Sequence, residues 1–270
     1  MSHPITILGA GGWIGSALVS GLHQRGQAVN AVKRNNLDKW LSQCDAQGPV
    51  IYAIGLTADF RTRPHETADA HVGLLSRVLQ RSGIRQLLLL SSTRVYARSQ
   101  TTNEADPLPC LSSEPSDLYN LSKLMGESLV LQDPRPGLKV ARISNVIGTG
   151  QPASTFVGSL LEDASRHGRV TIKQPPTTEK DYVALDDVVR LLPLIATKGQ
   201  QRIYNLGSGF NTTHSEVATW LEDQGCKVNF ATQGETKVNF PVLTIDRLST
   251  EFEPPGAVFV QNLLQTRRST

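Results

Sequence analysis

Ile5-Thr6-Ile7-Leu8-Gly9-Ala10-Gly11-Gly12-Trp13-Ile14-Gly15 is the stretch on which the reading of this chain turns. A short apolar run of β-favouring residues passes directly into glycines at a spacing of three, Gly9, Gly12 and Gly15, and then into Ile14 to Leu22, which carries helical periodicity. Glycine permits the tight turn, lets backbone approach a ligand closely, and lets helix pack against strand, while free amides at the helix start hold an anion. A strand, glycine turn and helix in that order predict a parallel α/β fold whose first turn cradles the pyrophosphate of a dinucleotide. Gly9, Gly11, Gly12, Trp13, Ile14 and Gly15 are therefore candidate cofactor-binding positions, with the Trp13 ring itself expected to pack rather than to bind.

Working outward, strand-like and helix-like patterns alternate. Strands are expected at Ala28 to Val32, Pro49 to Ile54, Leu87 to Leu90, Lys139 to Ile143 and Arg202 to Asn205. Helices are expected on a face bearing Val72, Leu75 and Leu79, at Leu118 to Leu131 and at Asp187 to Ala196. The unbroken apolar run Leu87 to Leu90 fits a strand buried on both faces. Residues 35–48 are too few for the helix, strand and helix that usually stand there, so one edge strand of the sheet is expected to be missing. Beyond residue 150 the elements shorten, which predicts a smaller lobe for substrate specificity. The expected division is a dinucleotide-binding core at 1–148, rejoined by 185–205, with 149–184 and 206–270 forming the lobe.

The chain has 270 residues, 39% hydrophobic and 19% charged, with a net charge of +3. That composition supports a packed core, and no apolar run approaches the ~20 residues of a membrane span. The basic residues are scattered, which argues against nucleic acid as a partner. No leader-like segment precedes the first strand, and Cys44, Cys110 and Cys226 form no CxxC pair, so a cytoplasmic location with reduced thiols is expected. His3, His23, His65, His167 and His214 show no metal-ligand spacing, and no metal is expected.

Two further clusters carry chemistry. The second strand ends in Lys33-Arg34, where a carboxylate for ribose hydroxyls would stand in an NAD enzyme; cations there fit a 2′-phosphate, favouring NADP(H) over NAD(H). In Tyr119-Asn120-Leu121-Ser122-Lys123 the four-residue spacing stacks Tyr119 and Lys123 on one helix face. An ammonium beside a phenol of ordinary pKa about 10 is expected to lower that pKa toward neutrality and make it a proton shuttle. Leu87 to Leu90 leads into Ser91-Ser92-Thr93-Arg94-Val95-Tyr96, setting hydroxyls at the sheet edge where ligands of such folds bind.

With these motifs in order, the chain resembles the extended short-chain dehydrogenases/reductases of the NAD-dependent epimerase/dehydratase type. The glycine turn, Ser91 to Tyr96 and Tyr119 to Lys123 match its first motifs. Arg142-Ile143-Ser144-Asn145-Val146-Ile147-Gly148, Lys180 to Val188 and Tyr204 to Gly209 match its later ones. The resemblance implies a Rossmann-type doubly wound sheet with a smaller C-terminal substrate lobe. It implies Ser92, Tyr119 and Lys123 as catalytic residues, with Lys123 also holding the nicotinamide ribose. Ile54 and Gly55 are implied beside the cofactor, Ser92, Thr93, Asn145 and Lys180 toward substrate, and a homodimer as the assembly.

The departures narrow the expectation. Thr93 and Arg94 replace the Asp-Glu of sugar 4,6-dehydratases, which argues against that elimination. Lys180 replaces an arginine that contacts the diphosphate in sugar-nucleotide epimerases, and Lys237 is a second cation in the same lobe. The shortened stretch before Pro49 removes a segment that closes over adenine, implying weaker cofactor affinity. His71 stands where an Asn is frequent, and Asp186-Asp187 reads as a helix cap rather than a carboxylate pair. The function implied is an NAD(P)-dependent oxidoreductase or epimerase acting on a hydroxyl or ketone of a sugar nucleotide or related small molecule. The alternatives are an NADPH-dependent ketone reductase of a non-nucleotide metabolite, and a non-catalytic NADP(H) sensor.

Overall fold

The computed structural model describes residues 3–43, 48–56, 60–231 and 240–256. In chain order the elements are β1 (Ile5–Leu8), α1 (Trp13–Gln24), β2 (Val29–Val32), α2 (Leu37–Gln43) and β3 (Val50–Tyr52). Next come α3 (Pro64–Ala68) and α4 (Leu74–Leu79), joined by one wide turn at Asp69–Gly73, then β4 (Leu87–Ser92), α5 (Asp117–Gln132), β5 (Leu138–Ile143) and β6 (Asn145–Ile147). The chain continues with α6 (Phe156–His167), β7 (Arg169–Ile172), β8 (Glu179–Ala184), α7 (Leu185–Lys198) and β9 (Ile203–Leu206). The last elements are β10 (Asn211–Thr213), α8 (His214–Asp223), β11 (Lys227–Phe230) and α9 (Asp246–Glu251).

The main sheet runs β2-β1-β3-β4-β5-β9, every neighbouring pair parallel. It is the doubly wound Rossmann-type sheet expected from the alternating pattern, and among the described residues it ends at β2, as the short 35–48 segment requires. A two-residue period splits each strand between two cores. Ile7, Ile51, Leu88 and Leu90 face α1 and α7, packing with Leu18, Leu22, Val188 and Leu192. Leu8, Val50, Tyr52, Leu87 and Leu89 face the opposite side, with Leu37 of α2, Leu75 and Val78 of α4 and Val130 of α5. This two-sided burial is why Leu87 to Leu90 reads as an unbroken apolar run.

The smaller lobe holds the sheet β10-β8-β6 and the parallel pair β11-β7, with α6 and α8 packed on a core of Ile147, Leu160, Ile172, Tyr182 and Trp220. Its limits differ from the sequence expectation in two places. Residues Asn145–Ile147 already pair with β8 of the small sheet, because the chain leaves the main sheet after Ile143. At the other end, Leu248 of α9 is fully buried in the main core beside Tyr204, so 246–251 returns to the large body. Asp186 and Asp187 occupy the first turn of α7, but the cap position is Ala184 and no side chain caps it. Asp187 bonds Arg190 instead, so what the pair contributes to the helix start is charge against its dipole. No helix among the described residues is long and apolar enough to cross a membrane. Cys110 and Cys226 are free thiols, while Cys44, Lys237 and the C-terminal residues from 257 onward lie outside the described residues.

Candidate active site

The glycine turn is dictated by contact. Gly9 has φ +93°, and a Cβ there would lie 2.8 Å from the Ala53 carbonyl, where β3 ends. A Cβ on Gly15 would lie 2.1 Å from the Gly9 oxygen, so only glycine lets α1 start this close to β1. Gly12 is the cap residue of α1, no side chain caps the helix and its first turn holds no acid. An uncapped, acid-free helix start at a parallel sheet edge fits a pyrophosphate. The Trp13 indole donates to the Thr149 carbonyl at 2.9 Å, tying this turn to the loop after β6. The Lys33 stem lies 3.7 Å from where a Gly11 Cβ would be. Arg34, at the end of β2, pairs with Asp69 at 3.6 Å, an exposed contact that the sequence did not reveal.

From this turn a cleft of about 560 Å³ runs along the carboxyl edges of the strands to the small lobe. Its walls bring together Gly12 to Gly15, Ile54 and Gly55, then Ser92, Thr93, Arg94, Tyr119 and Lys123, and finally Asn145, Lys180 and Phe156. Gly9, Gly11, Lys33 and Arg34 lie beyond its lining, next to the turn and the β2 edge. Asn145 donates to the Asp181 carbonyl at 2.9 Å, and the Lys180 ammonium lies 4.7 Å over the Phe156 ring. The Asp181 carboxylate accepts from Ser208 and from the amides of Gly209 and Phe210, and burial raises its pKa.

Tyr119 is buried, and burial pushes its phenol up to about 12, against a hydrogen bond from Ser92 and the nearby charge of Arg94. Contrary to the sequence expectation, Lys123 is not among the groups that lower this pKa. The Lys123 ammonium donates to the Leu90 carbonyl at 3.0 Å and sits 5.7 Å from the Tyr119 ring centre. Arg94 is the cation that pulls the phenol down, and burial outweighs it. Lys123 is itself lowered to about 8 by burial, opposed by the Glu127 carboxylate.

His71 lies in the wide turn between α3 and α4 and is buried. Ser122 donates to the Tyr119 carbonyl at 2.8 Å, so at 2.8 Å from Ser122 the His71 Nδ1 is the donor. Its Nε2 accepts from the Leu56 amide at 3.3 Å, and its ring meets Tyr119 edge-on with centres 5.3 Å apart. Burial first, then Lys123, holds it neutral, with a pKa of about 2. His71 thus clamps α5 to the loop after β3 and sets the Tyr119 ring; the sequence marked only an unusual residue there. Behind the site Glu127 and Arg142 form a buried fork, with Arg142 also donating to the Tyr96 hydroxyl at 2.7 Å and Tyr96 to Asn205 at 2.9 Å. Among the described residues no cluster of metal-binding side chains occurs.

Residues 5–207 match the profile of the family described as "NAD dependent epimerase/dehydratase family". An ADP-L-glycero-D-manno-heptose-6-epimerase of Cupriavidus pinatubonensis is 24% identical, over 79% of this chain and 76% of its own. The fold is similar to the NAD-dependent NDP-hexosamine 5,6-dehydratase TunA of tunicamycin biosynthesis, with TM-score 0.83 and 19% identity over 100% and 99% of the two chains. It is also similar to MoeE5 in complex with UDP-glucuronic acid and NAD, with TM-score 0.80 and 22% identity over 99% and 100%.

Proposed function

The chain belongs to the NAD dependent epimerase/dehydratase family, and from that premise we propose that it is an NAD(P)-dependent oxidoreductase or epimerase acting on a hydroxyl or ketone of a sugar nucleotide. The observation that carries the reading is one cleft joining the uncapped start of α1, the Ser92, Tyr119 and Lys123 cluster and the Lys180 edge of the small lobe. Gly12 to Gly15 would hold the pyrophosphate, Ile54, Gly55 and Lys123 the nicotinamide ribose, and Lys33 and Arg34 the adenosine end. When bound, the cofactor accepts or returns a hydride at the reacting carbon.

Ser92 hydrogen-bonds the reacting oxygen and Tyr119 moves its proton. With the phenol held neutral, Tyr119 stands ready as the acid that protonates a carbonyl during reduction. As a base for oxidation it needs additional positive charge. Arg94 beside Ser92 is no base, which supports hydride exchange at one carbon over 4,6-elimination. The neutral phenol and the Lys33-Arg34 pair also support a second reading, NADPH-dependent ketone reduction, with cofactor exchanged at each turnover. Asp69 already neutralises part of the Arg34 charge, but with Lys33 the strand end keeps a net positive charge for a 2′-phosphate.

The test is turnover of a nucleotide-sugar panel with each nicotinamide cofactor, for the wild type and for Tyr119→Phe. Turnover falling by a factor of about 100 to 10,000 in the variant, with cofactor affinity kept, is the expected outcome. Undiminished turnover overturns the role of Tyr119. Arg34→Glu is expected to move the cofactor preference toward NAD(H), and equal loss of both cofactors contradicts the adenosine-end assignment.

A further inference from the structure

Among the described residues, Arg94 is a half-buried cation of the cleft that has no ion-pair partner. Lys123 is fixed on the Leu90 carbonyl, Arg142 behind it is forked onto Glu127, and Lys180 lies over Phe156. Arg94, two residues past Ser92, lines the same cleft beside Tyr119. Its guanidinium lies over the Phe60 ring at 5.5 Å, and its Nε is buried with no hydrogen-bond partner. Arg61 lies over the same ring at 4.7 Å, adding like charge rather than relieving it. Among the described residues no carboxylate lies within ion-pair distance of Arg94. Asp117, whose charge acts on it, is occupied by Arg98, Asn120 and the Leu111 amide.

A half-buried guanidinium that faces a cleft with an unpartnered Nε and no ion-pair partner among the described residues is an arrangement that an anionic ligand completes. Its planar fork matches a carboxylate in two parallel hydrogen bonds. The Arg94 amide bonds the Ser92 hydroxyl at 3.2 Å, and its charge acts on Tyr119, so the anion it awaits sits at the reacting end of the substrate. A diphosphate is expected toward Lys180, on β8 in the small-lobe wall of the cleft.

Resting on the reading that the cleft takes a sugar nucleotide, we propose that Arg94 binds a carboxylate carried by the sugar next to the carbon at which Ser92 and Tyr119 act. The substrate is then a hexuronate-type sugar nucleotide rather than a neutral one. Arg94 is a specificity residue, and Phe60 and Arg61 hold its plane and raise the local positive potential.

The experiment is calorimetric titration of the full chain, saturated with reduced cofactor, with UDP-glucuronic acid, UDP-glucose and UDP. The two sugars differ only in the carboxylate, and UDP reports the diphosphate alone. The wild type is expected to bind the acidic sugar at least about tenfold more tightly than the neutral one. Arg94→Met is expected to bring that ratio to within about threefold of unity, and Arg94→Lys to keep part of it. Cofactor affinity and melting temperature check that each variant is folded, and the wild-type ratio stands whether or not they fold. Equal wild-type affinities, a preference that survives Arg94→Met, or an equal loss for UDP each overturns the assignment of Arg94 while leaving the sugar-nucleotide reading intact. Binding of cofactor but of neither sugar overturns the sugar-nucleotide reading, and the Arg94 assignment with it.

Discussion

Lys123→Met is expected to make the protein more stable while removing its chemistry. The Lys123 ammonium is buried at 7% exposure, donates to the Leu90 carbonyl, and has its pKa lowered from 10.5 to about 8. A fall of about 2.5 units corresponds to roughly 3 kcal/mol of burial cost carried by the charged form at pH 7. Methionine fills similar volume without charge, but it leaves the Leu90 carbonyl without that donor, an offset of about 1–2 kcal/mol. The net expectation is a gain of about 1–2 kcal/mol at pH 7. The sign with pH is fixed by linkage: between pH 8 and 10.5 the unfolded chain binds the Lys123 proton more tightly than the folded one, so wild-type stability rises with pH. The burial cost therefore falls to about 1 kcal/mol by pH 10, and the difference between variant and wild type shrinks by about 2 kcal/mol from pH 7 to pH 10. Urea unfolding of both proteins at the two pH values reads this directly. A variant less stable than wild type at pH 7, with a difference that does not change with pH, refutes the reasoning.

Glu127→Gln leaves the Arg142 guanidinium buried without its carboxylate, and urea unfolding is expected to show a loss of about 3–5 kcal/mol; a loss under about 1 kcal/mol contradicts the buried fork. Gly15→Val sets carbon atoms where the Gly9 oxygen stands, so a lowered melting temperature and lost cofactor binding are expected, and normal binding contradicts the tight turn. His71 is held neutral in the fold, whereas the unfolded chain takes its proton near pH 6.5, so stability falls as pH drops below that value. His71→Asn is expected to show a shallower acid limb in thermal melts, and an unchanged limb contradicts the neutral clamp. His71→Phe keeps a ring against Tyr119 but loses the bonds to Ser122 and Leu56. A fall in kcat of about tenfold with little change in cofactor affinity is the outcome expected of a positioning residue.

The main sheet was legible because each of its strands announces itself locally. Burial on two faces makes β4 an apolar run, and the glycines after β1 are fixed by backbone contacts at 2.1 and 2.8 Å that admit no other residue. The small lobe was not legible to the same degree. Its strands β6 and β10 have three residues each, too short for an alternating pattern to register, and the helices α6 and α8 that cover them were not anticipated. At the site, a four-residue helical spacing was enough to place Tyr119 and Lys123 on one wall of one cleft. Which cation tunes the phenol was not, because that depends on Arg94 arriving from the end of β4 while Lys123 turns to the Leu90 carbonyl. The Arg34 and Asp69 pair and the His71 clamp likewise join residues from different elements, and nothing in their spacing declares them.

The measurement that bears most directly on the account is titration of the purified protein with NAD⁺, NADH, NADP⁺ and NADPH, after identifying any nucleotide released on denaturation. One nicotinamide dinucleotide per chain is expected, bound by the wild type and by Tyr119→Phe and lost in Gly15→Val. A wild-type protein that carries no nucleotide and binds none of the four contradicts it.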